Sequence, residues 1–163
     1  MIAAPPPVHP WPIGVGPRYH PAALTTATAA GASVGALRCG TAGREFAVHV
    51  ELFANRRVII VPKGIGVART GCRYPLHTAE LTGVVRVEAT RPHRLRDLFA
   101  AWGRRLGRTR LLSFRGRVLV FVDGRRFRGE PGAVLLTKHR QIVLEVGGYL
   151  APHPSYLFPK GLQ

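Results

Sequence analysis

Acidic side chains are scarce in this chain. Only eight Asp and Glu stand against 24 Lys and Arg in 163 residues, a formal net charge of +16. That imbalance points to a polyanionic partner such as nucleic acid, acidic lipid or acidic polysaccharide. Lysine is scarce too: only Lys63, Lys138 and Lys160 occur, while Arg, Ala, Gly and Pro are plentiful. A GC-rich genome writes that mixture by codon bias, so a merely solvated basic surface stands beside the functional reading. Cysteine is limited to Cys39 and Cys72, which excludes a zinc finger or a Cys-x-x-Cys metal site. The two can form one disulfide or remain buried thiols. Long apolar runs are missing, and none approaches the roughly 20 residues of a membrane-spanning helix. Met1 to Val8 lacks a basic n-region and is broken by Pro5, Pro6 and Pro7. No secretory signal is therefore expected in the chain as given, a cytoplasmic location is the default, and the thiol reading leads slightly.

Hydrophobic residues nevertheless make up 46% of the chain, which excludes a disordered polycation and suffices for one domain with its own core. The pattern divides the chain into a Pro/Gly/Ala-rich arm over 1–43, one domain over 44–148 and an extended tail over 149–163. Pro10, Pro12, Pro17 and Pro21 forbid a long helix in the arm, and no strand-like alternation appears there.

Within the domain, Phe46, Val48, Val50 and Leu52 alternate with Ala47, His49, Glu51 and Phe53, the period of a half-buried strand. Asn55-Arg56 turns the chain into Val58–Val61 as a hairpin, and Gly83–Ala89 forms a third strand. Leu95, Leu98, Phe99, Trp102 and Leu106 make one apolar stripe at helical spacing, with Gly107 as a stop. Asp123-Gly124 suits the type I′ turn of a second hairpin after Val118–Val122. Gln141–Val146 is the last strand. The expected fold is α+β: a mixed sheet of two hairpins plus extra strands on one amphipathic helix, β-grasp-like in element order, with extended Pro-rich arms. The helix is expected to seal the inner side of the sheet, and surplus guanidinium groups to occupy the outer side.

Several motifs reduce to ordinary structure. Gly64-Ile65-Gly66-Val67-Ala68 follows a strand, but Arg69-Thr70-Gly71 comes next rather than a helix that could hold a pyrophosphate. It reads as a turn. Ser33, Ser113 and Ser155 lie in no Gly-x-Ser-x-Gly elbow, and Cys72 with His77 lacks the context of a catalytic pair.

Two constellations remain. Twelve arginines lie between Arg91 and Arg128, facing only Asp97 and Asp123. Arg104, Arg105, Arg108, Arg110, Arg125, Arg126 and Arg128 are the candidate polyanion-binding set. The first four are expected at the helix end, where the dipole also favours cations. Nucleic-acid binding would want exposed aromatics among them, and Phe99 and Trp102 are expected in the core, leaving Phe114 and Phe127. The second constellation is His49, His77, Glu45 and Glu80, which would suit Zn²⁺, Cu²⁺ or Fe²⁺ if neighbouring strands brought them together. The alternative is a polar face with cross-strand pairs such as Glu51 with Arg86.

His49-Val50-Glu51-Leu52-Phe53-Ala54-Asn55, Val61-Pro62-Lys63-Gly64-Ile65-Gly66, Cys72-Arg73-Tyr74-Pro75-Leu76-His77-Thr78, Leu98-Phe99-Ala100-Ala101-Trp102-Gly103 and Tyr156-Leu157-Phe158-Pro159-Lys160-Gly161-Leu162 resemble a family of small uncharacterised bacterial proteins, many of them exported or envelope-associated. The likeness runs from about residue 45 to the C-terminus. It implies a histidine cluster, His-x-His-x-His on the first strand and Leu-His-Thr-His in the loop, of which this chain keeps only His49 and His77. Glu45, Ala47, Ala79 and Arg86 stand at the other positions, and Arg86 would put a positive charge where a cation would sit.

Three functions stay open. The first is a non-catalytic binding module with a basic face for an anionic partner. The second is a metal-binding protein or metal-dependent enzyme centred on His49 and His77. The third is a structural piece of a larger assembly strapped by the Pro-rich ends.

Overall fold

The computed structural model describes residues 33–34, 37–40 and 43–162. The expected N-terminal arm therefore lies mostly outside the described residues. Its described pieces correct one expectation: β1 (Ser33–Val34) and β2 (Leu37–Arg38) pair as an antiparallel ribbon. Leu37 anchors it at 1% exposure in the main core.

The rest is mixed α and β, mainly sheet. The elements in order are β3 (Glu45–Ala54), β4 (Arg57–Ile59), β5 (Leu76–His77), β6 (Val84–Glu88) and α1 (Leu95–Trp102). After the helix come β7 (Leu106–Gly107), β8 (Arg110–Leu111), β9 (Phe114–Arg115), β10 (Val118–Val122), β11 (Arg125–Phe127) and β12 (Gln141–Val146). A 3₁₀ turn at Pro131–Ala133 lies before β12. Seven strands form the main sheet in the order β11-β10-β12-β3-β6-β5, with β4 also on β3, and β7–β9 make a separate three-stranded ribbon.

The first and last long strands, β3 and β12, lie parallel at the centre, with Val50 opposite Ile142 and Leu52 opposite Leu144. Antiparallel neighbours flank them: β6 on β3, and β10 on β12. Both hairpin turns use left-handed residues. Asp123 and Gly124 stand at φ 51° and 78°, and Asn55 and Arg56 at 50° and 63°. Asp123 also accepts the Gln141 N–H at 2.9 Å, tying its hairpin to β12.

Val48, Val50, Leu52, Val85, Val87, Ile142 and Leu144 pack with Leu95, Leu98, Phe99 and Trp102 of α1 in one buried cluster. Each large side chain contributes on the order of 1.5–3 kcal/mol. At the start of α1 the Arg94 N–H donates to Asp97 Oδ2 at 2.8 Å. The helix ends sooner than the apolar stripe suggests. Gly103 takes φ 68°, and the N–H groups of Gly103 and Arg104 close onto the carbonyls of Ala100 and Phe99. Gly103, not Gly107, is the stop, because only glycine enters the left-handed region without steric cost. Leu106 consequently belongs to β7, and Arg104, Arg105, Arg108 and Arg110 all follow the stop, with no basic residue in the last turn of the helix.

The outer side of the sheet also departs from expectation. It is not an arginine face. Residues 149–162 run across it without regular structure, and Tyr156, Phe158 and Leu162 pack on Ala47 and Val84. All six residues of β12 are buried, including Gln141 and Glu145. Glu51 lies opposite Val143 and pairs with His153 at 2.8 Å, while Arg86 lies opposite Ala47, so the expected Glu51–Arg86 pair does not form.

Cys39 and Cys72 form a disulfide with Cα atoms 5.9 Å apart, overturning the thiol reading. The two segments already lie side by side, since Gly40 N–H donates to the Arg73 carbonyl at 3.0 Å. No helix among the described residues is long and apolar enough to cross a membrane.

Candidate anion-binding cleft

The early stop of α1 frees the chain to build the β7–β9 ribbon, which leads directly into β10. The Gly116 N–H on Thr109 O (3.1 Å) and the Val118 N–H on Arg108 O (2.8 Å) fold this ribbon beside the β10–β11 hairpin. Arg108, Arg117, Arg126 and Arg128 thereby line one cleft of about 320 Å³, together with Thr109 and Phe127.

Among the described residues one ion pair joins these four guanidinium groups, Glu130 Oε2 at 3.0 Å from Arg108 Nε, while the charge of Glu145 acts on Arg126 without an ion pair. Arg126 lies inside the cluster, its Cζ 5.5 Å over the Phe121 ring. Burial, followed by the like charges of Arg117 and Arg128, lowers its pKa from the ordinary arginine value. Its Nη1 is buried without a hydrogen-bond partner. An oxyanion would relieve both the repulsion and the missing hydrogen bond, and planar guanidinium forks match phosphate, sulfate or carboxylate oxygens in pairs.

Of the seven arginines read from the sequence, Arg108, Arg126 and Arg128 meet here. Arg104, Arg105 and Arg110 lie along the ribbon outside the cleft, and Arg125 is exposed on the edge strand. Arg117 joins the set although it was only one among the twelve. Its position immediately before the Val118–Val122 strand was the available clue. Phe99 and Trp102 are buried at 2%, and Phe114 packs against the core, so among the described residues Phe127 is the one aromatic lining the cleft.

The histidine constellation does not assemble. His77, Arg86 and Ala47 form one row across β5, β6 and β3, and His49 lies two pairs further along, opposite Val84. Two strand spacings and two residues separate the histidines by roughly 10 Å or more. His77 Nε2 faces Glu45 Oε1 at 3.6 Å, while Glu80 is exposed on its loop. His49 is enclosed elsewhere: Nε2 lies 2.8 Å from the Thr82 carbonyl and Nδ1 2.6 Å from the Gln141 side chain. Tyr156 stacks on the ring at 3.6 Å. Burial lowers the His49 pKa, favouring the neutral ring. Such a ring donates from Nε2 to Thr82 and leaves Nδ1 an acceptor facing Gln141 Oε1; turning the Gln141 amide end for end brings its otherwise unpartnered N–H₂ to Nδ1 as donor. Both nitrogens are then committed. Among the described residues no three His, Cys, Asp or Glu side chains converge to hold a metal ion, so these donors do not fit Zn²⁺, Cu²⁺ or Fe²⁺ as one site.

No protein-family model, curated protein or solved structure matches the chain.

Proposed function

We propose that this protein is a non-catalytic binding module whose arginine cleft receives phosphate or sulfate groups of an acidic polymer. One observation carries the reading: four guanidinium groups line one cleft with a single ion pair among the described residues, leaving Arg126 Nη1 buried and unpartnered. Among the described residues Phe127 is the single aromatic lining the cleft, against four guanidinium groups, which favours recognition of anionic groups over stacking of successive nucleobases. The Cys39–Cys72 disulfide is a feature of oxidising compartments. It supports a polymer of the cell envelope or exterior over genomic DNA, and an oxidising compartment over the cytoplasm. The parallel central pair of first and last long strands, flanked by antiparallel strands with one helix between, supports the β-grasp-like reading of the architecture. That likeness brings no function with it.

Retention on heparin and on duplex DNA across a salt series tests the proposal. Counterion release makes retention on DNA fall steeply with salt, with a slope of roughly 0.9 per phosphate contact. Arg126→Ala/Arg128→Ala should elute from heparin at clearly lower salt and show a shallower slope than the parent. A flat, weak response of the parent, or identical elution of parent and variant, removes the proposal.

A further inference from the structure

We infer that the cavity beside β5, at the other edge of the sheet from the arginine cleft, is a second binding site, one for a soluble phosphomonoester with a small apolar body. It measures about 530 Å³, and its lining includes Lys63, Arg73, Arg86 and His77 together with Val67 and Ala68. That size falls within the roughly 300–1,000 Å³ of small-molecule sites, ample for more than a bare oxyanion.

The walls are held by the backbone. Thr78, fully buried, donates from Oγ1 to the Pro62 carbonyl at 2.7 Å and accepts the Ile65 N–H at 3.1 Å. Gly64 and Thr78 exchange further bonds with this loop, and Tyr74 N–H reaches Gly66 O at 2.7 Å. Gly66 itself, at φ 67°, passes so close to the Leu76 carbonyl that a Cβ would overlap it. The disulfide anchors Cys72, the neighbour of Arg73. A ligand would therefore meet side chains mounted on a fixed frame, with little ordering left to do.

The charges on that frame are unbalanced. Lys63, Arg73 and Arg86 make no ion pair among the described residues, and Glu45 is the carboxylate beside His77. His77 is 2% exposed, and its Nδ1–H donates to the Tyr74 carbonyl at 3.2 Å. Its Nε2 is thereby left an acceptor, buried without a hydrogen-bond partner and facing another acceptor in Glu45. A doubly charged phosphate ester answers the three cations better than a singly charged sulfate or carboxylate. The body of the ester would lie against Val67 and Ala68, which line the same cavity. The charge and the apolar lining together select the class.

Calorimetric titration of the full chain with phenyl phosphate, phenyl sulfate and inorganic phosphate tests this. Phenyl phosphate should bind about tenfold or more tighter than either of the others, a difference calorimetry resolves. Arg73→Ala/Arg86→Ala should lose at least that factor, whereas Arg126→Ala/Arg128→Ala should leave it unchanged even if retention on heparin falls. If the first variant does not fold, Lys63→Ala/Arg73→Ala, two exposed positions, must show the loss instead. No binding of phenyl phosphate at millimolar concentration overturns the inference, as does equal loss in the Arg126/Arg128 variant. Sedimentation with phosphatidic acid vesicles separates a membrane source of the same headgroup. Binding to vesicles alone overturns the soluble-ester assignment.

Discussion

On one face of the central sheet, Val48, Val50, Leu52 and Leu144 meet the apolar stripe of α1. On the other, His49, Glu51, Gln141 and Glu145 meet the C-terminal tail. Both faces exclude water, but by different means. The helical face is held by non-directional burial of aliphatic and aromatic groups. The tail face must in addition satisfy imidazole, amide and carboxylate groups, each costly when left without a partner. The first should be the less sensitive to pH, with His93 at the entrance to α1 as a buried titratable group, and tolerant of conservative repacking. The second should be sensitive to protonation and to single polar substitutions.

The largest expected effect belongs to the helical face. Trp102→Ala should lose about 3–5 kcal/mol, the usual cost of deleting a buried large aromatic, measured by urea unfolding. Across pH its stability curve should run parallel to that of the parent. Tyr156→Ala, on the tail face, should cost about 2 kcal/mol through loss of apolar burial and ring stacking. It should also expose the His49 ring, which it covers at 3.6 Å. If the two variants cost the same, the contrast between the faces is wrong in its energetics.

Protonation sharpens the contrast. Burial lowers the pKa values of His49 and His77, and burial with the Arg91 charge lowers that of His93. Below about 6.5 the unfolded chain then binds more protons than the folded one. The stability these groups contribute is present above that pH and is lost as pH falls through and below it. His49→Asn should flatten part of the fall, seen as a smaller drop in melting temperature between neutral and acidic buffer. A slope identical to the parent's would count against an enclosed neutral ring.

The smallest effect has the opposite sign. Glu145 is 0% exposed, and burial raises its pKa despite the Leu150 N–H bond and the nearby Arg126 charge. Its folded form holds a proton more readily than its unfolded form, so its ionised state costs stability at neutral pH and acid relieves that cost. Glu145→Gln keeps an acceptor for the Leu150 N–H and should raise the melting temperature slightly at neutral pH. The gain should shrink as pH falls.

Much of the local structure was legible in the residues. The last strand occupies Gln141–Val146 as its pattern implied, the Asp123-Gly124 hairpin forms, and α1 begins at Leu95. The end of the helix was less legible, because Leu106 continues the stripe while Gly103 interrupts the backbone, and backbone geometry wins. Glu51 and His49 read as solvent-facing by their alternation, yet the tail covers them, and nothing within a strand announces what will later lie on it. The cleft was half visible. Arg108, Arg126 and Arg128 stood out as charge, but Arg117 joins them only because the ribbon folds back on β10.

Composition and periodicity, which are local, determined the positive charge, the sheet-and-helix content and the turn positions. Pairing of β3 with β12, covering of the outer face by Tyr156 and Phe158, union of Cys39 with Cys72 and the gathering of guanidinium groups around two separate cavities were decided only by the tertiary structure. The reason is physical. Such contacts join residues far apart in the chain, and their free energy depends on which surfaces meet, a quantity no single segment carries.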